Sequence, residues 1–213
     1  MSAPVRVKIC GITCIEDALA AVDAGADALG FIFAPSPRRI EPTDAAAIIR
    51  ELPPFLTTVG LFVDQAPEPV LRECPLDVIQ FHGAESPERV AACPVRSIKA
   101  FRIRCSEDLT QIRAYRAASA WLLDAYVPGV AGGTGHRFPW ALANEVRGWG
   151  GRLIVAGGLT PENVVECIGQ TRPYGVDVST GVERSPGRKD PVKLRDFIQA
   201  ARSAGALTCP ASE

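Results

Sequence analysis

The chain has few of the groups that mark metal-binding, nucleic-acid-binding or membrane proteins. It contains only two histidines, His82 and His136, which form no HxxxH or comparable spacing, so we predict no metal site. The formal net charge is −1 and long Lys/Arg runs are absent, which argues against nucleic acid as a partner. No apolar run approaches bilayer length and no basic segment precedes an apolar one, so we expect a cytoplasmic protein without a membrane partner.

The cysteines also exclude two classes of small protein. They are odd in number, scattered and without a CxxC pair, which argues against a disulfide framework and against a zinc ribbon. The seven are Cys10, Cys14, Cys74, Cys93, Cys105, Cys167 and Cys209. We expect most of them to be reduced and to fill the interior.

The composition is that of one folded domain. With 213 residues, 47% hydrophobic and 22% charged, the chain can bury a sizeable core. No internal linker or low-complexity segment divides it. We therefore expect a single domain over residues 1–213, in which 205–213 form a frayed tail.

Short β-branched runs alternate with segments of helical period, separated by Gly, Pro, Ser and Thr. The predicted strands are Val5–Ile12, Ala28–Phe33, Thr57–Val63, Asp77–His82, Arg96–Ile103, Ala120–Tyr126, Arg152–Ala156 and Gly175–Ser179. The predicted helices are Ile15–Ala24, Asp44–Leu52, Glu68–Glu73, Pro87–Ala92, Glu107–Ala118, Trp140–Trp149, Pro161–Gln170 and Pro191–Ala204. Eight such units predict an α/β fold, a (β/α)8 TIM barrel of parallel strands. An open doubly wound sheet is the alternative, but it would favour a GxGxxG after the first strand, and none is present.

The first strand ends by presenting a thiol at a glycine-marked turn. By the period of two, Arg6, Lys8 and Cys10 share one face of that strand. Taken alone, these residues fit a small buried cysteine and a lysine that reaches solvent. In a barrel, however, reactive groups belong at the carboxyl ends of strands, where Cys10 lies.

The last two strands end in segments suited to a phosphate group. Gly157 and Gly158 follow the seventh strand, and Ser179, Thr180 and Gly181 follow the eighth. Each segment alone fits a tight turn or a helix cap. In a barrel the two loops are neighbours, so their amides and hydroxyls converge on one volume that can hold a phosphate dianion.

An acid and a base are expected on opposite sides of the barrel mouth. Asp124 interrupts the apolar sixth strand near its end, and Cys10 ends the first. A desolvated carboxyl can act as a general acid near neutrality, and a cation such as Lys8 would lower the pKa of a thiol that acts as a base. An aspartate that only pairs with a neighbouring cation is the alternative. The pair suits an isomerisation by proton transfer, for which no metal is required.

Eight segments together resemble the phosphoribosylanthranilate isomerase family of tryptophan biosynthesis. They are Val7–Thr13, Gly25–Phe33 with Ser36–Ile40, Val59–Val63, Gln80–Gly83, Leu122–Asp124, Gly132–Gly135 with Phe138 and Trp140, Ala156–Asn163 and Val176–Glu183. The resemblance implies a cofactor-free Amadori rearrangement of N-(5-phosphoribosyl)anthranilate. It implies that Asp124 protonates the furanose ring oxygen and that Cys10 takes the proton from C2 of the sugar.

The resemblance also implies further substrate contacts. Arg38 would bind the anthranilate carboxylate, since a guanidinium recognises a carboxylate at two points. Asp177 would contact the anthranilate amine, and the loop with Gly132 and Gly133 would close over the substrate. We assign Lys8 to the substrate site as well.

Two departures from the family pattern are visible, and several alternatives stay open. Thr180 stands where serine is frequent and keeps a hydroxyl; Pro139 affects only the start of the sixth helix. Another phosphate-binding barrel is one alternative, but a thiamin-phosphate synthase would use magnesium with clustered acids and a sugar-phosphate epimerase would use metal-ligating histidines. A non-catalytic barrel that binds a phosphorylated metabolite is the other. We expect a small phosphorylated substrate as partner, and a monomer or homodimer.

Overall fold

The computed structural model describes residues 4–125 and 139–207, with side chains described as far as residue 204. Eight parallel strands close into a barrel in chain order, and β8 pairs with β1. The strands are β1 (Arg6–Cys10), β2 (Ala28–Ile32), β3 (Thr57–Phe62), β4 (Val78–Phe81), β5 (Arg96–Ile103), β6 (Ala120–Ala125), β7 (Leu153–Val155) and β8 (Gly175–Val178). The predicted (β/α)8 fold is confirmed.

Helices cover the outside of the barrel between the strands. They are α1 (Ile15–Asp23), α2 (Pro42–Arg50), α3 (Glu68–Glu73), α4 (Pro87–Ala91), α5 (Ala141–Arg147), α6 (Val164–Thr171) and α7 (Pro191–Leu207). Their apolar faces pack on the outward-facing side chains of the strands, among them Phe31, Phe62 and Phe81, which are fully buried. Burial of each such aromatic ring contributes about 1.5–3 kcal/mol.

The interior of the barrel is a second, separate core. Val59, Val78, Ile98, Leu122 and Ile154 pack together there, one side chain from each of five strands. Because side chains alternate along a strand, the positions two and four residues further along also point inward. This alternation sends the side chains at the carboxyl ends of the strands into the mouth of the barrel, where the site described below lies.

Two parts of the structure differ from the prediction. The segment expected to be one helix, Glu107–Ala118, forms two short 3-10 turns, Ser106–Leu109 and Ile112–Tyr115. Asp108 holds the first turn because its carboxylate accepts hydrogen bonds from the backbone N–H groups of residues 104 and 105. The second difference is an additional antiparallel hairpin after β8, formed by β9 (Glu183–Ser185) and β10 (Arg188–Lys189).

The ends of some elements also shift. The helix predicted to begin at Pro161 begins at Val164, with Asn163 before it accepting a hydrogen bond from the Thr160 amide at 3.0 Å. Helix α7 continues to Leu207, so the first residues of the expected tail are helical. Residues 208–213 lie outside the described part of the chain.

Candidate active site

A cavity of about 410 Å³ opens at the carboxyl ends of the barrel strands. Its lining includes nine of the residues that the sequence assigned to the site: Cys10, Arg38, Asp124, Gly157, Gly158, Asp177, Ser179, Thr180 and Gly181. Cavities of this size commonly hold small-molecule ligands, and this face is where TIM barrels carry their active sites. The structure therefore brings most of the expected site together in one place.

Cys10 and Asp124 approach this cavity from different sides. Cys10 ends β1 and Asp124 lies near the end of β6, with β7 and β8 between them in the closed sheet. Both side chains are buried, yet both contribute to the cavity wall. A single small molecule in the cavity can therefore lie between the thiol and the carboxyl group, as two-sided proton transfer requires.

The net effect of the surroundings on the pKa of the Cys10 thiol is opposite to the one expected. Burial raises the pKa of Cys10 above its ordinary value, and the positive charges of Lys8 and Lys189 lower it without cancelling that effect. Lys8 thus acts in the predicted direction, but the prediction of a lowered thiol pKa was wrong. Without substrate, the neutral thiol is favoured at neutral pH.

Lys8 lies one inward position below Cys10, and the described lining of the cavity does not include it. Its Nζ donates a 2.9 Å hydrogen bond to Oδ1 of Asp177, in an ion pair whose side chains are less than one-tenth exposed. Burial lowers the pKa of Lys8, but Asp177 and Cys10 outweigh it and the net pKa is raised. Lys8 therefore holds Asp177 in place at the cavity wall, and its own contact with substrate stays a prediction.

Gly30 makes room for this arrangement on the neighbouring strand. A Cβ atom at Gly30 would lie 2.9 Å from the Cys10 Sγ and 3.0 Å from the Lys8 Nζ. The absence of a side chain on β2 lets the thiol and the ammonium group share the interior beside it.

His82 is a site residue whose position beside the acid the sequence reasoning missed. It follows β4 and points into the cavity, with its Nε2 3.4 Å from Oδ2 of Asp124. That distance is within ion-pair range, although the geometry is not that of a hydrogen bond. Gln80 places its Nε2 3.3 Å from Nδ1 of His82. With Gln80 donating, a neutral His82 carries its hydrogen on Nε2, on the side of Asp124.

A strand period of two could have identified His82. Gln80 and His82 lie two residues apart at the end of a predicted strand, so both were expected on one face.

Two close-packed loops form the end of the cavity expected to hold phosphate. Gly157 and Gly158 have φ values of +85° and +64°, which favour glycine. A Cβ atom at Gly157 would lie 2.8 Å from Oδ1 of Asp124, and one at Gly181 would overlap the carbonyl oxygen of Leu159. The β7 and β8 loops are thus in direct backbone contact.

The hydroxyl of Ser179 supports a polar ligand at this end. Its Oγ is buried and has no hydrogen-bond partner among the described residues. A buried hydroxyl without a partner is rare in native structures, and a ligand oxygen would satisfy it. Lys193 of α7 also lines this cavity and adds a positive charge.

Arg38 is held by an ion-pair cluster that the sequence did not indicate. Its Nε and Nη2 donate to the two carboxylate oxygens of Glu183, at 2.8 and 2.7 Å. Lys189 donates from Nζ to the same Glu183 carboxylate at 2.9 Å, and to the carbonyl oxygens of Cys10 and Ser179 at 2.6 and 3.3 Å. The hairpin of β9 and β10 therefore ties the end of β1 to the loop after β8.

The charged groups of this cluster change one another's pKa values. Glu183 accepts from Arg38 and Lys189, so its pKa is lowered although burial alone would raise it. The hydrogen bonds to Glu183 raise the pKa of Arg38, and burial lowers the pKa of Lys189. The Nε and Nη2 of the Arg38 guanidinium are thus both hydrogen-bonded to Glu183.

The remaining predicted contacts, Gly132 and Gly133, lie outside the described residues. Within residues 4–125 and 139–207, no group of three or more His, Cys, Asp and Glu side chains is arranged to hold a metal ion. Among the helices of those residues, none combines the length and the apolar character that crossing a membrane requires.

Comparison with known proteins gives a consistent result. A family model described as N-(5'phosphoribosyl)anthranilate (PRA) isomerase matches residues 7–200. A protein of Trichlorobacter lovleyi named N-(5'-phosphoribosyl)anthranilate isomerase is 54% identical over 204 residues, which cover 94% of this chain and 99% of that protein.

Two solved structures are similar over nearly the whole chain. The phosphoribosyl anthranilate isomerase of Thermotoga maritima has a TM-score of 0.88 and 43% identity, covering 93% of this chain and 99% of that one. An isomerase crystallised with reduced 1-(o-carboxyphenylamino)-1-deoxyribulose 5-phosphate has a TM-score of 0.84 and 41% identity, with the same coverage. With the family model matching almost the entire barrel, the chain belongs to the N-(5'-phosphoribosyl)anthranilate isomerase family.

Proposed function

We propose that this chain isomerises N-(5-phosphoribosyl)anthranilate to 1-(2-carboxyphenylamino)-1-deoxyribulose 5-phosphate, in tryptophan biosynthesis, with Asp124 as general acid and Cys10 as general base. The family membership supports the reaction. The observation that carries the residue roles is that this acid and this base line one cavity from two sides, with the glycine loops at its end.

The reaction needs one proton donated and one accepted. Asp124 gives a proton to the furanose ring oxygen, the bond between C1 and that oxygen breaks, and the amine nitrogen lone pair forms the C1–N double bond of a Schiff base. Cys10, as thiolate, takes the proton from C2, and the electron pair of that C–H bond moves to give an enolamine. Tautomerisation of the enolamine to the ketone completes the rearrangement, so no atom is gained or lost.

The other site residues bind and orient the substrate in this proposal. The backbone of Gly157, Gly158 and Gly181, with the Ser179 and Thr180 hydroxyls, holds the phosphate.

Arg38 contacts the anthranilate carboxylate through the guanidinium hydrogens that Glu183 leaves available. Asp177 contacts the amine, and closure of the loop with Gly132 and Gly133, which lie outside the described residues, stays a prediction. The orientation of Asp124 depends on His82 beside it.

The raised pKa of the Cys10 thiol has a mechanistic consequence. Only the thiolate can accept the C2 proton, so the cationic neighbours Lys8 and Lys189 are needed to make that form accessible. Binding of a substrate cannot by itself replace those charges, because its phosphate and carboxylate are both negative.

The proposal is tested by turnover of fluorescent phosphoribosylanthranilate by the purified protein, with a chelator present. The wild type should consume the substrate, whereas Cys10→Ala and Asp124→Asn should each nearly abolish kcat. Cys74→Ala removes a buried thiol from the outer core and serves as the matched control, with kcat retained. Full activity in the Cys10 or Asp124 variant would refute the role of that residue.

Assembly and location stay predictions. We infer a monomer or homodimer, since the acid, the base and the phosphate loops all come from one chain. Light scattering coupled to size exclusion distinguishes the two states. Cytoplasmic location is likewise expected, and fractionation of cells that express the protein tests it.

A further inference from the structure

Arg102 is a second arginine in the active-site cavity, and neither the sequence reasoning nor the mechanism above uses it. It lies near the end of β5, two residues beyond Ala100, whose side chain belongs to the core inside the barrel. By the alternation of the strand, Arg102 also points inward, and it lines the cavity. Its Cα is paired in register with that of Asp124 on β6, so the arginine is a direct neighbour of the acid.

The guanidinium of Arg102 has no partner in the described part of the protein. Its Nε is buried without a hydrogen bond, and no ion pair to it is present among the described residues. Buried donors of native proteins are nearly always paired, and a charged donor left unpaired is especially unfavourable. Arg38 differs in this respect, because its Nε and Nη2 are already bound to Glu183. The Nε of Arg102, in contrast, makes no hydrogen bond to any of the described residues.

The substrate of the proposed reaction carries two anionic groups, the phosphate and the aromatic carboxylate. The phosphate belongs with the glycine loops after β7 and β8, whereas Arg102 lies on β5, on another side of the mouth. Ile32, Leu61 and Val63 form an apolar part of the same wall, which suits an aromatic ring. With the phosphate held by the glycine loops and the aromatic ring of the substrate packed on this apolar surface, the carboxylate on that ring is the anion that remains for the guanidinium of Arg102.

From the unpaired guanidinium beside Asp124, and resting on the proposed function, we infer that Arg102 binds the aromatic carboxylate of the substrate and so determines specificity for it. A free fork gives two parallel charge-assisted hydrogen bonds to a carboxylate. This contact is additional to that of Arg38. It orients the aromatic amine so that the sugar lies between the acid and the base.

The experiment compares two substrates in each variant. One is phosphoribosylanthranilate and the other is the phosphoribosyl adduct of aniline, which lacks the carboxylate. Arg102→Gln should lower kcat/KM for the first about tenfold or more, the loss expected for charge-assisted hydrogen bonds, and change kcat/KM for the second less than about twofold. Arg102→Lys keeps the charge but not the fork, and should recover only part of the loss.

The matched control is Arg96→Gln, at the opposite end of the same strand. Arg96 lines the cavity at the amino end of the barrel, so removal of its charge should leave both substrates unaffected. Arg38→Gln is measured in parallel to compare the two arginines.

A binding measurement makes the result independent of turnover. Calorimetry with the reduced, non-reacting product analogue should show weaker binding to Arg102→Gln, with no such loss for the analogue without the carboxylate. An equal loss for both substrates in Arg102→Gln, or no loss for either, overturns the assignment. A wild type that does not turn over phosphoribosylanthranilate refutes the proposed function itself, whereas an active wild type with unchanged Arg102 variants refutes only the inference on Arg102.

Discussion

Replacement of Lys189 by methionine is expected to destabilise the barrel strongly. Lys189 is fully buried, and its Nζ joins three groups: the carboxylate of Glu183 and the carbonyl oxygens of Cys10 and Ser179. Methionine preserves most of the apolar stem but removes the charge and all three hydrogen bonds. Glu183 would then remain buried with Arg38 as its one cationic partner among those described.

The magnitude follows from the burial of the pair. Removing one cation from a buried ion cluster costs about 3–5 kcal/mol, and here the carbonyl oxygens of Cys10 and Ser179 also lose their donor. For a domain of this length, 1 kcal/mol shifts Tm by about 2–4 °C, so Tm of Lys189→Met should fall by roughly 6–20 °C.

The assay is thermal and urea unfolding followed by circular dichroism, with an exposed ion pair as control. Arg39 and Glu41 are paired at 3.1 Å with both side chains more than half exposed. Arg39→Gln removes the same charge and should cost at most about 1 kcal/mol. A loss in Lys189→Met no larger than that in Arg39→Gln would refute the reasoning.

A double variant separates the buried charge from the lost packing. In Lys189→Met with Glu183→Gln, the desolvated carboxylate is gone, so the free energy of unfolding should be higher than in Lys189→Met alone. The glutamine amide oxygen at this position can still accept a hydrogen bond from Arg38, whose side chain is mostly buried. A further fall in stability in the double variant would show that the buried charge is not the cause.

Three further outcomes are expected. Gly157→Ala should lower kcat about tenfold or more and also lower Tm, because φ is +85° there and the new Cβ would overlap the backbone nitrogen of Ala125 and lie 2.8 Å from Oδ1 of Asp124; an unchanged kcat would contradict this. Burial raises the pKa of Cys10, so the rate at which iodoacetamide alkylates it should still increase with pH above about pH 9. Mass spectrometry follows the alkylation, and a rate that levels off near neutral pH would contradict the raised pKa. Burial alone would raise the pKa of Glu85, but hydrogen bonding to Lys99 outweighs it and the net pKa is lowered. The unfolded chain therefore takes up the proton first, and stability should fall as pH drops below about 4.5. Tm of Glu85→Gln should fall less on acidification than Tm of the wild type, and equal falls would exclude the Glu85–Lys99 pair as the cause.

The strands were predictable because their signals are local. All eight predicted runs contain the strand that the structure shows, and β5 matches its predicted range, Arg96–Ile103, residue for residue. The period of two also indicated, without any tertiary information, that Lys8 and Cys10 share a face. Parallel strands with helices between them then place all carboxyl ends on one side of the barrel, which is why Cys10 and Asp124 could be expected at the same mouth.

The errors lie where the outcome depends on contacts between distant segments. The segment after β5 has helical composition, yet Asp108 binds backbone amides at its start and Tyr115 donates its hydroxyl to the carbonyl of Glu85, 30 residues away. The two strands of the hairpin that carries Lys189 contain only five residues, too few for a pattern. The partner of Arg38 was likewise not visible, since Glu183 lies 145 residues further along the chain.

The sequence by itself determined the order of eight strand and helix units and the end of the barrel to which the reactive groups belong, because alternation and turn chemistry are properties of neighbouring residues. Only the tertiary structure decided that the Cys10 thiol is held with a raised pKa, that Lys8 supports Asp177 and that Arg102 lines the cavity without a partner among the described residues. Desolvation and ion pairing depend on which groups the closed barrel brings together, and those groups are far apart in the chain.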